Sequence, residues 1–273
     1  MMTLSTVMLA VAMSAAEHHI AVIGASASAG WGVVVPHAPS DHEVPVHHRH
    51  VDLADVLPAV LGCDASDVSG HADVWFFSAP ERIGPTLLDA AKSHQPTHII
   101  AIDFLFWFAY GNRDVNDEPL GTGDIEARLA NLNHGLHLLE SIDVPLLIGD
   151  LPDVADAADV WPIPLLRANQ VPSPEALDAM NRRIRVWAAA REHATLVPLA
   201  ATVDRMKRGK PLQLNGHVWP KDATLIQFDH LHPTTLGLIA IAELAAESLP
   251  PDTKPALHAD PQSVLKRLAE VQP

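Results

Sequence analysis

The 273-residue sequence predicts a three-layer α/β/α sandwich built on a five-stranded parallel sheet. Three observations lead there. From Ile20 onward, short β-rich apolar runs alternate with longer helical patterns, which is the order that βαβ units impose. The runs are apolar at successive positions, as strands covered on both faces require. Hydrophobic residues make up 48% of the chain and charged residues 19%, enough apolar surface for a substantial core and too little charge for a disordered chain.

Taken in order, the expected strands are residues 20–24, 74–78, 98–103, 145–149 and 195–199. Each is a short apolar run bounded by turn-forming residues. The expected helices are residues 53–61, 85–93, 125–142, 174–193 and 235–249. The fourth is the best defined: Ser173 is a strong N-cap, Pro174 occupies the first helical position, and Leu177, Met180, Ile184 and Trp187 share one face. The fifth stops at Pro250-Pro251, which cannot continue a helix.

Two stretches read as surface connections. One is residues 30–50, with its prolines and the cluster His47-His48-Arg49-His50; the other is the Pro-rich tail from about 250, with room for a short helix at 262–269. Neither separates two cores, and no internal repeat or low-complexity tract interrupts the pattern. Residues 17–273 therefore read as one domain. Ahead of it, the apolar run from Leu4 to Met13 ends in Ser14-Ala15-Ala16, small residues that suit cleavage before Glu17, although no Lys or Arg precedes the run. The expectation is a signal peptide at 1–16 and a secreted or periplasmic protein, with a cytoplasmic one as the alternative. The run is too short to span a bilayer, and no later segment reaches the roughly 20 apolar residues that a transmembrane helix needs.

Charge narrows the partners. With 33 acidic against 18 basic residues, the net charge of −15 repels polyanions and offers no basic stripe to a phosphate backbone, so nucleic acid is not an expected partner. The single cysteine, Cys63, has no partner in the chain for a disulfide. Seventeen histidines raise the question of a metal, but His18-His19 and the 47–50 cluster lack the spacing of zinc ligands, and no metal site is expected.

The chemistry lies at two places. The first strand ends in Gly24-Ala25-Ser26-Ala27-Ser28-Ala29-Gly30, small residues placed where a parallel strand opens into the ligand crevice of an α/β sheet. Ser26 is the hydroxyl exposed there. A serine becomes a useful nucleophile only when a base removes its proton. Near the other end, Asp229-His230-Leu231-His232 directly precedes the last helix, and a carboxylate three residues before a histidine can hold one ring nitrogen and leave the other free. Each half has a plainer reading: a tight turn or phosphate-cradling loop for the first, helix-capping residues for the second. The glycine run lacks both Gly-x-Gly-x-x-Gly and the Walker lysine, so a nucleotide cofactor is weakly supported.

Together, in this order, the two blocks resemble those of the SGNH, or GDSL-like, hydrolase family, which carries Gly-Asp-Ser-x-Ser-x-Gly after its first strand and Asp-x-x-His before its final helix. The resemblance extends over nearly all of residues 17–250. It implies the family's flavodoxin-like fold, Ser26 as nucleophile, His232 as general base and Asp229 as the residue that orients it. The Ser26 N–H would be one oxyanion donor, and His230 would be a structural neighbour.

The departures are specific. Ala25 stands where the family has aspartate. The family's oxyanion glycine after the second strand is replaced by Ser78-Ala79-Pro80, and its Gly-x-Asn-Asp block after the third strand by Asp103 followed by Phe104-Leu105-Phe106-Trp107. Three residues are the candidates to fill the gap or meet the substrate: Ser78 through its backbone or hydroxyl, Asn112 as the nearest downstream amide, and Asp103, which would position His232 or a substrate hydroxyl, or alternatively hydrogen-bond a neighbouring loop. The aromatic residues Phe104, Phe106, Trp107, Phe108 and Tyr110 would either wall a pocket or pack under the helices.

The expected activity is hydrolysis of a carboxylic ester through a Ser-His-Asp acyl-enzyme, on small acyl esters or acylated carbohydrates, with no cofactor and a small-molecule ester as partner. The alternative is a catalytically impaired ligand-binding protein on the same fold, motivated by the altered oxyanion blocks. A phosphate or nucleotide binder is the third reading.

Overall fold

Strand β1 (Ile20–Gly24) is buried along its whole length. Its side chains leave the backbone alternately: Ile20 and Val22 enter one core, Ala21 and Ile23 the other. A strand that feeds two cores must lie in the middle of a sheet covered on both faces, and the rest of the chain supplies those covers. The computed structural model describes residues 18–37, 47–114, 116–162, 164–250 and 260–270; the expected leader at 1–16 lies outside them.

After β1 the chain makes an antiparallel hairpin from β2 (Val34–His37) and β3 (His47–His50), then α1 (Leu53–Leu61), β4 (Val68–Ala72), α2 (Pro80–Ser93), β5 (His98–Ala101) and the single-turn α3 (Phe106–Ala109). There follow α4 (Ile125–Leu139), β6 (Leu146–Gly149), α5 (Pro174–Ala189), β7 (Ala194–Val197) and α6 (Leu199–Lys207). A second hairpin of β8 (Leu212–Leu214) and β9 (His217–Trp219) leads to α7 (Thr235–Ser248) and α8 (Pro261–Glu270).

The main sheet has five strands in the order β4-β1-β5-β6-β7, and every pair is parallel. One core lies between the sheet and helices α1, α6, α7 and α8; the other lies between the sheet and α2 to α5. The chain progresses outward in both directions from β1 and β5, so the connections that leave their carboxyl ends part company there. That topological switch opens the crevice where such sheets bind ligands. Ser26 follows β1 and Asp103 follows β5, on the two sides of the switch. No helix among the described residues is long and apolar enough to cross a membrane.

Local sequence accounts for the elements around the crevice. Helix α1 starts at a capping box in which Asp52 and Asp55 each accept the other's N–H, and ends at Gly62 with φ 70°. In α5, Ser173 accepts from the Ala176 N–H, and Met180, Ile184 and Trp187 are buried. Helix α7 is buried over residues 237–246 because it lies between the sheet and α1, with Thr234 capping its N-terminus.

Several expected boundaries move. The second strand is not residues 74–78 but Val68–Ala72, which pairs with β1 in parallel register. It sits at the sheet edge with only Val68 buried, so its sequence lacks the apolar run of a central strand. The aromatic stretch read as a strand is a 3₁₀ turn at Phe76–Ser78 instead. Helix α2 begins at Pro80 and runs through Pro85, because Ile83 and Gly84 are buried together with Leu87 and Leu88; packing outweighs the hydrogen bond that the internal proline removes. The connection at 30–50 contains the β2–β3 hairpin. The β8–β9 hairpin, turning on Asn215-Gly216 with φ 47° and 80°, was not expected.

Candidate active site

The loop after β1 is wound around one carboxylate. Asp103 is buried, and its Oδ1 accepts from the Ala25 N–H at 3.0 Å and the Ser28 hydroxyl at 2.6 Å, while its Oδ2 accepts from the Ala27 and Ser28 N–H groups at 3.0 Å each. Of the four successive amides from Ala25 to Ser28, only that of Ser26 has no partner among the described residues. Gly24 makes this approach possible: a Cβ there would stand 2.1 Å from Asp103 Oδ1. Of the two roles weighed for Asp103, bonding the neighbouring loop is the one its contacts describe; it reaches neither His232 nor the open cleft. A carboxylate from the next strand thus organises the turn in which Ala25 replaces the aspartate of the resembled family.

A second loop brings the histidine. Ile226 and Pro233 form an isolated bridge, and Gly237 at the start of α7 lies so close that a Cβ would meet the Leu225 carbonyl at 1.8 Å. This closes residues 225–234 into a tight arch over the crevice. His232 Nε2 lies 2.9 Å from Ser26 Oγ, and its Nδ1 lies 2.8 Å from Asp229 Oδ2. Asp229 Oδ1 also accepts from the N–H groups of Leu231 and His232, at 2.9 Å each. An ionised carboxylate only accepts, so Nδ1 carries the proton and Nε2 is left to accept from the Ser26 hydroxyl. Burial works to raise the Asp229 carboxyl, but the ring and backbone donors around it prevail and hold it below the usual carboxylate range.

His230, the neighbouring histidine, points elsewhere: its Nδ1 lies 3.1 Å from Asp156 Oδ2, and its φ of 59° turns it out of the arch. The Trp31 ring packs beside the His232 imidazole with centroids 5.8 Å apart. Gln227 ties the two loops together, since its Nε2 donates to the Trp31 carbonyl and to the Pro233 carbonyl at 2.7 Å each.

The Ser26–His232 pair opens onto a cleft of about 480 Å³ walled by Trp31, Trp75, Phe77 and Trp107. A narrower space of about 50 Å³ reaches Ser26 and His232 from the other side, between Phe106, Leu151 and Ile226. Asn112 lines the larger cleft, and its side-chain amide has no hydrogen-bond partner among the described residues. Ser78 also lines it, but its N–H and its hydroxyl both donate to the Trp75 carbonyl, at 2.9 and 2.8 Å. In this arrangement Ser78 offers the crevice no free donor, which corrects its expected role. Among the described residues no three His, Cys, Asp or Glu side chains are grouped to hold a metal ion.

No protein-family model matches the chain. No curated protein matches it. Among solved structures it is similar to a gut microbial diltiazem-metabolizing enzyme, with 11% sequence identity and a TM-score of 0.47 over 85% of this chain. The chain spans 46% of that structure's length.

Sequence reasoning missed several cleft residues. Trp75 and Phe77 had been assigned to a strand, although two exposed aromatics flanking a buried Phe76 fit a wall with one outer and one inner side. Trp31 and Gln227 carried no recognisable signal, because their roles depend on an approach between segments 196 residues apart. Of the aromatic run, Phe104, Phe108 and Tyr110 pack in the core, Phe106 borders the narrow space, and Trp107 reaches the cleft.

Proposed function

We propose that the chain is a serine esterase of the SGNH type, with Ser26 as nucleophile, His232 as general base and Asp229 as its orienting carboxylate. The observation that carries the reading is the continuous relay from Ser26 Oγ through both nitrogens of His232 to Asp229, at 2.9 and 2.8 Å. An unpartnered Ser26 N–H stands beside it.

In this reading Ser26 Oγ attacks the ester carbonyl carbon while His232 Nε2 takes the hydroxyl proton. The carbonyl π electrons move onto oxygen, where the Ser26 N–H and the Asn112 amide donate hydrogen bonds. Asp229 stabilises the imidazolium that forms. Collapse of the tetrahedral species expels the alcohol oxygen, which receives the proton from His232 and leaves an acyl-serine. Water, deprotonated by the same imidazole, then attacks the acyl carbon, and collapse of the second tetrahedral species breaks the bond to Ser26 Oγ, which takes the proton back from His232 as the acid leaves. The chemistry uses no cofactor.

Hydrolysis of 4-nitrophenyl acetate by the purified protein tests the proposal. Wild type is expected to turn over, and Ser26→Ala and His232→Ala to lose at least about 1,000-fold in kcat. Turnover that survives Ser26→Ala in a folded protein would sink the reading, and a folded wild type without turnover would favour a ligand-binding protein whose serine is idle.

A further inference from the structure

The large cleft combines exposed aromatic surface with a single kind of charge. Among the described residues, four of the nine exposed large hydrophobic side chains, Trp31, Trp75, Phe77 and Leu165, line it. Trp75 is 62% exposed, which costs hydration free energy unless a ligand covers the ring. In a chain with a net charge of −15, no Asp or Glu among the described residues lines this cleft, whereas Arg167 does. Arg167 makes no ion pair among the described residues.

The turn that presents Arg167 is braced from below. The Arg167 N–H donates to Gln170 Oε1 at 2.8 Å, closing the 3₁₀ turn at 168–170. Beneath it, the fully buried Arg128 donates to the carbonyls of Asn169 at 2.8 Å and Gln170 at 3.3 Å, and also to those of Ala109 and Gly121. A buried guanidinium spent on four backbone carbonyls fastens the Arg167 turn to the segment that carries Trp107 and Asn112.

Resting on the esterase reading, we propose that this cleft takes an aromatic ester bearing an anionic group, its ring stacked on the tryptophan walls and its anion held by Arg167. A cleft of about 480 Å³ is of the size that holds a ring-bearing small molecule. Absence of carboxylates from the lining argues for an arene over a sugar, whose hydroxyls need acceptors as well as a stacking surface. The planar fork of arginine matches a carboxylate.

The test compares two ester pairs: 4-acetoxybenzoate against 4-acetoxybenzamide, with the charge on the alcohol part, and monomethyl terephthalate against its amide, with the charge on the acyl part. In at least one pair, wild type is expected to prefer the anion by about tenfold in kcat/KM, the gain of one charge-assisted contact. Arg167→Gln is expected to bring that ratio near one. Calorimetry of Ser26→Ala with 4-acetoxybenzoate reads the same contact without turnover, and adding Arg167→Gln to that protein should weaken binding by about tenfold. No anion preference in either pair, or a preference that survives Arg167→Gln, overturns the proposal. Faster hydrolysis of an acetylated uronate than of either arene overturns the aromatic assignment. If no ester is hydrolysed, the esterase reading fails by itself; Arg167-dependent binding in calorimetry then upholds the anion site, and its absence removes that as well.

Discussion

Asp103 accepts from the N–H groups of Ala25, Ala27 and Ser28 and leaves that of Ser26 without a partner among the described residues. One buried carboxylate at the end of β5 thus sets both the position of Ser26, the proposed nucleophile, and the direction of its amide. Replacing it leaves three backbone N–H groups without their acceptor. Asp103→Ala is expected to lose about 3 kcal/mol of stability in urea denaturation and most of its turnover. A variant as stable and as active as wild type would show that the loop holds its shape without the carboxylate.

Among the described residues, Asn112 is the one side-chain amide lining the cleft without a protein partner. If it supplies the second oxyanion donor, Asn112→Ala lowers kcat by about 100-fold with little change in KM, since the contact strengthens only as charge develops on oxygen. Equal kcat in the two proteins would leave the Ser26 N–H to act with some other donor.

Gln227 lies outside the proposed relay of Ser26, His232 and Asp229. By clamping the Trp31 and Pro233 carbonyls, it fixes the separation between the serine loop and the histidine arch. Gln227→Ala is expected to reduce kcat by about tenfold through misplacement of His232, and Gln227→Glu, which accepts where donors are needed, to do no better. A loss confined to KM would argue for substrate contact instead.

Glu243 gives the fold a pH dependence separate from the site. It is buried on α7, where one oxygen accepts from Trp219 Nε1 at 2.7 Å and the other has no partner among the described residues. Burial, with the nearby Glu247 carboxylate adding to it, pushes the group up to about 7. A carboxyl raised on folding favours the protonated native state, so its stabilising share is complete below the unfolded value of 4.5 and is lost as pH rises through 7. Wild type should therefore lose on the order of 3 kcal/mol between pH 4.5 and 7.5 relative to Glu243→Gln. Urea denaturation of both proteins across that range checks it; parallel curves would contradict the assignment.

Much of this was legible in the sequence, for identifiable reasons. The central strands β1, β5 and β6 are buried on both faces, so their apolar runs have one interpretation. The pair Asp229 and His232 and the serine Ser26 are close to glycines and prolines that fix their loops, and such local constraints are written in adjacent residues. Edge strand β4 escaped because an edge needs little apolar sequence, and Trp75 and Phe77 were misread because the physics that buries an aromatic in a sheet also lines a cleft with it. Asn215-Gly216 is a hairpin signal in the sequence, but its flanking strands are only three residues each and lack the length of a core strand. Asp103 stands out in the sequence as an acid at a strand end, but its four donors lie in the loop after β1, 75 or more residues earlier, and their convergence is visible only in three dimensions.

The most direct measurement of the central claim is the intact mass of the protein after reaction with a fluorophosphonate, which labels a serine only when a base has activated it. One adduct on wild type, absent from Ser26→Ala and from His232→Ala, is the expected result. A folded wild-type protein that takes no label, or a Ser26→Ala protein that still does, would contradict the relay from Asp229 through His232 to Ser26.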